Sequence, residues 1–252
     1  MPLTPLTDSL FDWSQIRLIA TDMDGTLTQN EQFTARLIEA LTALAASNYI
    51  VIIVTGRSAG WVSAVEHYLP ITGAIAENGG VYLKTGKTPI VMGEIESFER
   101  HRKRLSSVFE HLRLNHPNLR AANDNPFRLT DWTFDVAGLS AAILAQLAQE
   151  CDLYGWDFTY SNVQCHVRPK GQSKANALQT VLKDYFPKLT PEQVLVCGDS
   201  PNDVDLFEHF PISVGVANIV AYQAEMPYLP NYLTPKAEVD GFLEIAEFLL
   251  SR

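Results

Sequence analysis

The sequence predicts an α/β protein: a parallel sheet covered on both faces by helices, with a smaller α+β unit inserted into it. Three observations carry this reading. Short, almost continuous apolar runs at 16–20, 50–54 and 194–197 alternate with amphipathic stretches, and strands that are apolar on both sides belong in a covered parallel sheet. Between about 85 and 165 that rhythm is replaced by a long charged helical stretch and by strands that alternate apolar with polar residues. The chain has 252 residues, 46% of them hydrophobic, enough for one core domain with a second, smaller one.

Taken in order, the run 16–20 is a buried strand that stops at Thr21-Asp22. Residues 33–47 follow as a helix, with Phe33, Leu37, Leu41 and Leu44 on one face. The strand 50–54 ends at Thr55-Gly56-Arg57, and Ser58 is placed to cap a helix running to Leu69, before Pro70. A third strand, 71–76, ends at Glu77-Asn78-Gly79-Gly80. Within the insert, 95–115 and 140–151 read as helices, the second capped by Ser140. Segment 128–136 reads as a half-exposed strand. Segments 156–161 and 163–168 read as two more, with Val163, Cys165 and Val167 on one face and Gln164, His166 and Arg168 on the other. One-sided strands predict an antiparallel sheet with an open face. The expected division is therefore 1–84 and 166–252 for the core and 85–165 for the insert. After it, Ser173 opens a helix to Tyr185, and Thr190-Pro191 starts a short one. The strand 194–197 ends at Gly198-Asp199, and Ser200 caps another helix. Strands at 212–216 and 232–234 and an amphipathic helix at 241–250 complete the chain.

The net charge is −10 and the pI about 5.0, which argues against nucleic acid as a partner, since that needs clustered Lys and Arg. An anionic substrate is not excluded, because a local cation reverses the sign within a pocket. Three cysteines without a C-x-x-C pair argue against a disulfide framework or a thiolate metal site and for a reducing, cytoplasmic setting. The leading residues have no basic n-region and no stretch approaches 18 apolar residues, so neither a signal peptide nor a membrane span is expected.

Polar signatures follow three of the apolar strands, and a fourth opens a helix: Asp22-Met23-Asp24-Gly25-Thr26, Thr55-Gly56-Arg57, Ser173-Lys174, and Gly198-Asp199-Ser200-Pro201-Asn202-Asp203. In a parallel sheet these meet at one edge. The chemistry that suits them is phosphoryl transfer, which needs alignment and positive charge because a phosphate ester repels nucleophiles. Asp22 is the expected nucleophile. Asp24 is the expected general acid and base. Thr55 would donate to the phosphoryl group, and Lys174 would supply fixed positive charge. Packed carboxylates call for Mg²⁺, with Asp22, the Asp24 carbonyl and Asp199 as expected ligands; Ser200, Asn202 and Asp203 would orient the metal and its waters. Gly56, Arg57, Asn78, Arg128 and His166 are candidate substrate contacts.

These four motifs, in this order, resemble the haloacid dehalogenase superfamily of phosphohydrolases. The match is D-x-D-G-T at 22–26, Thr55 in T-G-R, Lys174 in G-Q-S-K-A-N-A-L at 171–178, and G-D-S-x-N-D at 198–203. One departure is Lys174-Ala175, where the family has K-G. An insert between the second and third motifs, together with Glu77-Asn78-Gly79-Gly80, resembles subclass IIB, which includes Cof-like and sucrose-phosphatase-like enzymes. The resemblance implies a Rossmann-like core, a C2B-type cap, Mg²⁺, and a small phosphorylated metabolite, often a sugar phosphate. A hexose phosphomutase and a catalytically silent binding domain are the alternatives. Oligomeric state and the substrate itself are left open.

Overall fold

A computed structural model describes residues 4–6 and 11–251; the expectation that the leading residues carry no targeting signal falls largely outside them. Strand β1 (Thr4–Pro5) is an edge strand. β2 (Leu18–Thr21), β3 (Ile50–Val54) and β4 (Gly73–Ala76) are linked by helices α1 (Ala35–Ala46) and α2 (Ala59–Tyr68), and β5 (Val81–Leu83) and β6 (Ile90–Val91) follow as hairpins. A second group comprises α3 (Phe98–Asn115), β7 (Trp132–Asp135), α4 (Ala141–Leu153), β8 (Trp156–Tyr160) and β9 (Gln164–Pro169). The chain then returns through α5 (Lys174–Tyr185), β10 (Val194–Gly198), α6 (Val204–His209), β11 (Ile212–Gly215), β12 (Tyr232–Leu233) and α7 (Glu238–Leu250).

The large sheet has the order β1-β12-β11-β10-β2-β3-β4-β5-β6. It is parallel from β1 to β4, and β5 and β6 join antiparallel. Alternate strand residues point to opposite faces, and both faces are apolar. Ile19, Val51, Ile53 and Leu195 pack with Leu37, Leu41, Leu44, Val62 and Phe242 of α1, α2 and α7. Leu18, Ala20, Ile52 and Val54 pack with Leu178, Val181 and Leu206 of α5 and α6 on the other side. Leu18 pairs with both Ile50 and Val194, so β2, β3 and β10 end at one level. That common register brings the segments after Thr21, Val54 and Gly198 to one edge.

The smaller sheet is antiparallel, in the order β7-β9-β8. Helices α3 and α4 cover one of its faces, where Leu105, Phe109, Leu112 and Leu147 meet Phe134, Cys165 and Val167. The other face, expected to be open, is shut against the core, leaving His166 only 1% exposed. The expected limits of the insert cut through paired elements. β6 still belongs to the large sheet, where Met92 N donates to Gly80 O, and β9 carries the small sheet on to Pro169. The chain therefore passes between sheets at 92–97 and 170–173.

Buried polar contacts fasten the two units. The Glu77 carboxylate accepts from Ala59 N at 2.9 Å, Leu129 N at 3.0 Å, and Thr130 N and Oγ1 at 2.7 Å each. It thus takes the capping role expected of Ser58, which sits at the N-cap of α2 with its hydroxyl buried and unbonded. These contacts also explain why the strand expected over 128–136 is only Trp132–Asp135: the backbone of 129–130 donates to Glu77 rather than to a neighbouring strand. Among the described residues, no helix is long and apolar enough to cross a membrane.

Candidate active site

Asp22 follows β2, its backbone N–H extending the ladder to Cys197 O at 2.8 Å. Thr55 follows β3 in the same way, donating to Ile75 O at 2.8 Å. Lys174 is the first residue of α5, whose N-cap Ser173 accepts from Asn176 N; its whole side chain is buried. The Lys174 ammonium donates to Asp22 Oδ1 at 2.6 Å and to Asp203 Oδ1 at 2.7 Å. Asp203 Oδ2 accepts from Asp199 N at 3.0 Å and Ser200 N at 3.2 Å, and Ser200 Oγ donates to Asn202 Oδ1 at 2.8 Å. Both Asp203 oxygens are therefore engaged, and the residue braces the lysine and the turn after β10.

Asp22, Asp199 and Asp203 offer oxygens that lie within 4.8 Å of one another, all three side chains buried. Three carboxylates surround one ammonium, and the imbalance appears in their acidities. Burial, partly offset by Lys174, pushes Asp22 up to about 7. Burial and the neighbouring Asp22 and Asp203 push Asp199 well above the ordinary carboxylate range. Lys174 is raised despite its burial because Asp203 and Asp22 face it. Asp199 Oδ2 accepts from Asn218 Nδ2 at 2.7 Å, but Asp199 Oδ1 is buried without a partner. An orphaned carboxylate oxygen inside an acid-rich cluster fits a hard cation with oxygen ligands.

Asp24 lies beyond the strand and is partly exposed. Arg57 grips it with two hydrogen bonds, Nε to Oδ2 at 2.8 Å and Nη2 to Oδ1 at 2.7 Å; the sequence offered pairing with an acid as one reading of this arginine but did not say which acid. Gly25, between the two halves of the motif, has φ +82, and a Cβ there would overlap the Asp199 carboxylate. Asn218 secures this turn as well, donating to Gly25 O at 3.0 Å. No motif in the sequence pointed to Asn218.

The remaining candidates separate. Asn78 is buried beside the cluster, accepting from Asn202 Nδ2 at 3.1 Å, and its own Nδ2 is unpaired. His166 reaches the site. With Asp22, Asp24, Thr55, Gly56, Arg57, Asn202 and the hairpin residues Ser161, Asn162, Val163 and Gln164, it lines a cavity of about 10 Å³. That is room for about one water. Arg128 does not reach this cavity. Its guanidinium is buried and bonds Gly56 O, Asp124, Asp131 and Gln164 at 2.8–3.2 Å. The segment carrying it packs on α2, where Phe127 meets Gly60, so the arginine is spent on joining the two units.

A parallel α/β core with an acid-rich, lysine-centred site at its carboxyl edge and a second unit shut over it defines an enzyme of the hydrolase class. A profile of haloacid dehalogenase-like hydrolases matches residues 19–111 and 91–242. A phosphoglycolate phosphatase of Thermoplasma volcanium is 30% identical over 195 residues, covering 77% of this chain and 81% of its own. One of Methanothermobacter thermautotrophicus is 26% identical over 91% of this chain and 96% of its own. The fold is shared with a crystal structure from Thermoplasma acidophilum (TM-score 0.74, 22% identity, 93% and 98% of the two chains). It is also shared with the sucrose-phosphatase of Synechocystis (TM-score 0.66, 18% identity, 93% and 98%). The chain belongs to the haloacid dehalogenase-like hydrolases. Within them it is a phosphatase, a phosphoric monoester hydrolase acting on phosphorylated small molecules.

Proposed function

We propose that this enzyme is a Mg²⁺-dependent phosphatase for a small sugar phosphate, working through an aspartyl-phosphate on Asp22. The observation that carries this is Lys174 held between Asp22 and Asp203 while Asp199 keeps an unpartnered buried oxygen. Asp22 and Asp199 are the side chains that would hold Mg²⁺, which when bound neutralises their charge and that of the phosphoryl oxygens. A carboxylate oxygen of Asp22 attacks phosphorus and forms the new P–O bond; the ester P–O bond breaks, and Asp24 gives the departing oxygen its proton. Asp24 then takes a proton from water as that water attacks phosphorus, and the bond to Asp22 breaks, releasing inorganic phosphate. Thr55 donates to the phosphoryl group, and Lys174 fixes the attacking carboxylate. The second unit acts as the cap that shields the site from bulk solvent.

Hydrolysis is favoured over a mutase, which must hold a bisphosphate. Arg100, Lys103, Arg104, Arg113 and Arg120 are exposed, Arg102 donates to the carbonyls of Asp131 and Asn125, and none of them lines the cavity beside Asp22. The test is phosphate release from p-nitrophenyl phosphate and from a panel of sugar phosphates, phosphoglycolate included. Release is expected with Mg²⁺, lost with chelator and restored by excess Mg²⁺; no release from any ester would overturn the reading.

A further inference from the structure

The wall of the site cavity opposite the acid cluster comes from the small sheet: Ser161, Asn162, Val163, Gln164 and His166, none of them charged at neutral pH in this setting. Among the described residues that line the cavity, the cationic side chain is Arg57, whose Nε and Nη2 are held by Asp24. Arg128 lies behind this wall, its charge matched by Asp124 and Asp131. His166 Nδ1 lies 2.9 Å from Asp131 Oδ2. Asp131 is fully buried, and the Arg128 guanidinium and His166 hold its carboxyl down at about 2 although burial alone would raise it. It is therefore ionised and can only accept. The proton of the imidazole thus sits on Nδ1, and Nε2 carries a lone pair.

Burial keeps His166 below its ordinary value, with Arg128 and Arg168 adding to the effect and Asp131 opposing it, so the ring is neutral. Nε2 has no hydrogen-bond partner among the described residues. It overlooks Gly56, where a Cβ would lie 2.9 Å from Cε1 and 3.0 Å from Nε2; glycine at that position lets this edge of the ring approach the backbone.

We propose that His166, oriented by Asp131, is a specificity-determining residue that accepts a hydrogen bond from a hydroxyl of the leaving group, so that the enzyme selects esters of uncharged polyols or sugars over phosphorylated carboxylic acids. This rests on the phosphatase reading given above. A hydroxyl donates to the lone pair. A carboxylate brings a second negative charge against that lone pair and against Asp24, which already holds Nε and Nη2 of Arg57. A leaving group with hydroxyls donates to this cavity-facing acceptor, the kind of contact that discriminates against analogues lacking it. Asp131 acts through the ring as a positioning residue.

The experiment compares kcat/KM, with Mg²⁺ present, for glycerol 1-phosphate, sorbitol 6-phosphate, 2-phosphoglycolate, 3-phosphoglycerate and p-nitrophenyl phosphate. The wild type is expected to favour the polyol esters over the two acids by about tenfold or more. His166→Leu should lower the ratio of polyol ester to nitrophenyl ester by about tenfold, chiefly through KM, because it removes the acceptor. His166→Gln, which keeps an amide oxygen, should recover part of that ratio. Preference for either acid in the wild type, which needs no variant to fold, would overturn the proposal and direct the carboxylate to Arg57. An unchanged ratio in His166→Leu would also overturn it. Failure of the nitrophenyl ester along with all the others would instead remove the phosphatase reading on which it stands.

Discussion

Two buried charge clusters lie on either side of the site, and they are built on opposite terms. In the core, Asp22, Asp199 and Asp203 crowd around one ammonium; burial raises all three carboxyls, repulsion between neighbours adds to it at Asp22 and Asp199, and one oxygen of Asp199 has no partner. In the small unit, Asp124 and Asp131 share the Arg128 guanidinium, and both are held below the ordinary range in spite of burial. Every arm of that arginine is used. A planar fork with five donors can satisfy two carboxylates and a carbonyl together, whereas an ammonium has three donors and no fixed plane. The difference separates chemistry from architecture. The strained cluster is ready for a cation and a phosphoryl group, and the satisfied cluster holds the wall that faces them.

The largest effect that would break this contrast is on turnover. Asp22→Asn should reduce phosphate release on the order of 10⁴-fold, since it removes the nucleophile while keeping its shape. Retained activity would mean that the strained cluster is not the reacting one. Next in size, Arg128→Met should cost about 3–5 kcal/mol in urea unfolding, because it strands two buried carboxylates. A neutral outcome would show that the second cluster is no better satisfied than the first.

The third prediction concerns metal and pH. Asp22 moves from 3.8 to about 7, so between those values the folded protein holds a proton that the unfolded chain has released. Its contribution to stability is full below about pH 4 and is lost as pH rises through about 7. Asp131 moves the other way, from 3.8 to about 2; its contribution is present above about pH 4 and is lost as pH falls through about 2. Metal-free protein compared with Asp22→Asn should show the first loss in its melting temperature. Mg²⁺ at a hundred times its Kd should add about 2.7 kcal/mol, a gain that Asp199→Asn should forfeit.

Much of the core was legible in the sequence because its signals are local. Runs such as Ile50–Val54 are apolar on both faces, and each motif begins where such a run stops. Lys174 was found the same way, one residue after the cap of its helix. What escaped depends on distant partners. Glu77 bonds residues 52 and 53 positions away, and no local pattern says that a carboxylate after β4 will cap α2 and hold the insert. Arg128 and His166 sit in stretches that alternate polar with apolar, a pattern that also describes a solvated sheet face; only the docking of that face onto the core makes them interior. Asn218 reaches Asp199 from the far side of β11, without a motif of its own.

The pairing of β2 with β10 has a consequence for how the protein is made. β2 is complete by residue 21, yet the neighbour that covers its outer edge starts at Val194. At about 5–20 residues per second, the ribosome leaves that apolar edge unpaired for roughly 9 to 35 seconds. Throughout that interval the chain is a half-sheet with a strand edge open to any other nascent copy. The insert is synthesised within the gap, and with its own cluster of buried side chains it can assemble while the core waits.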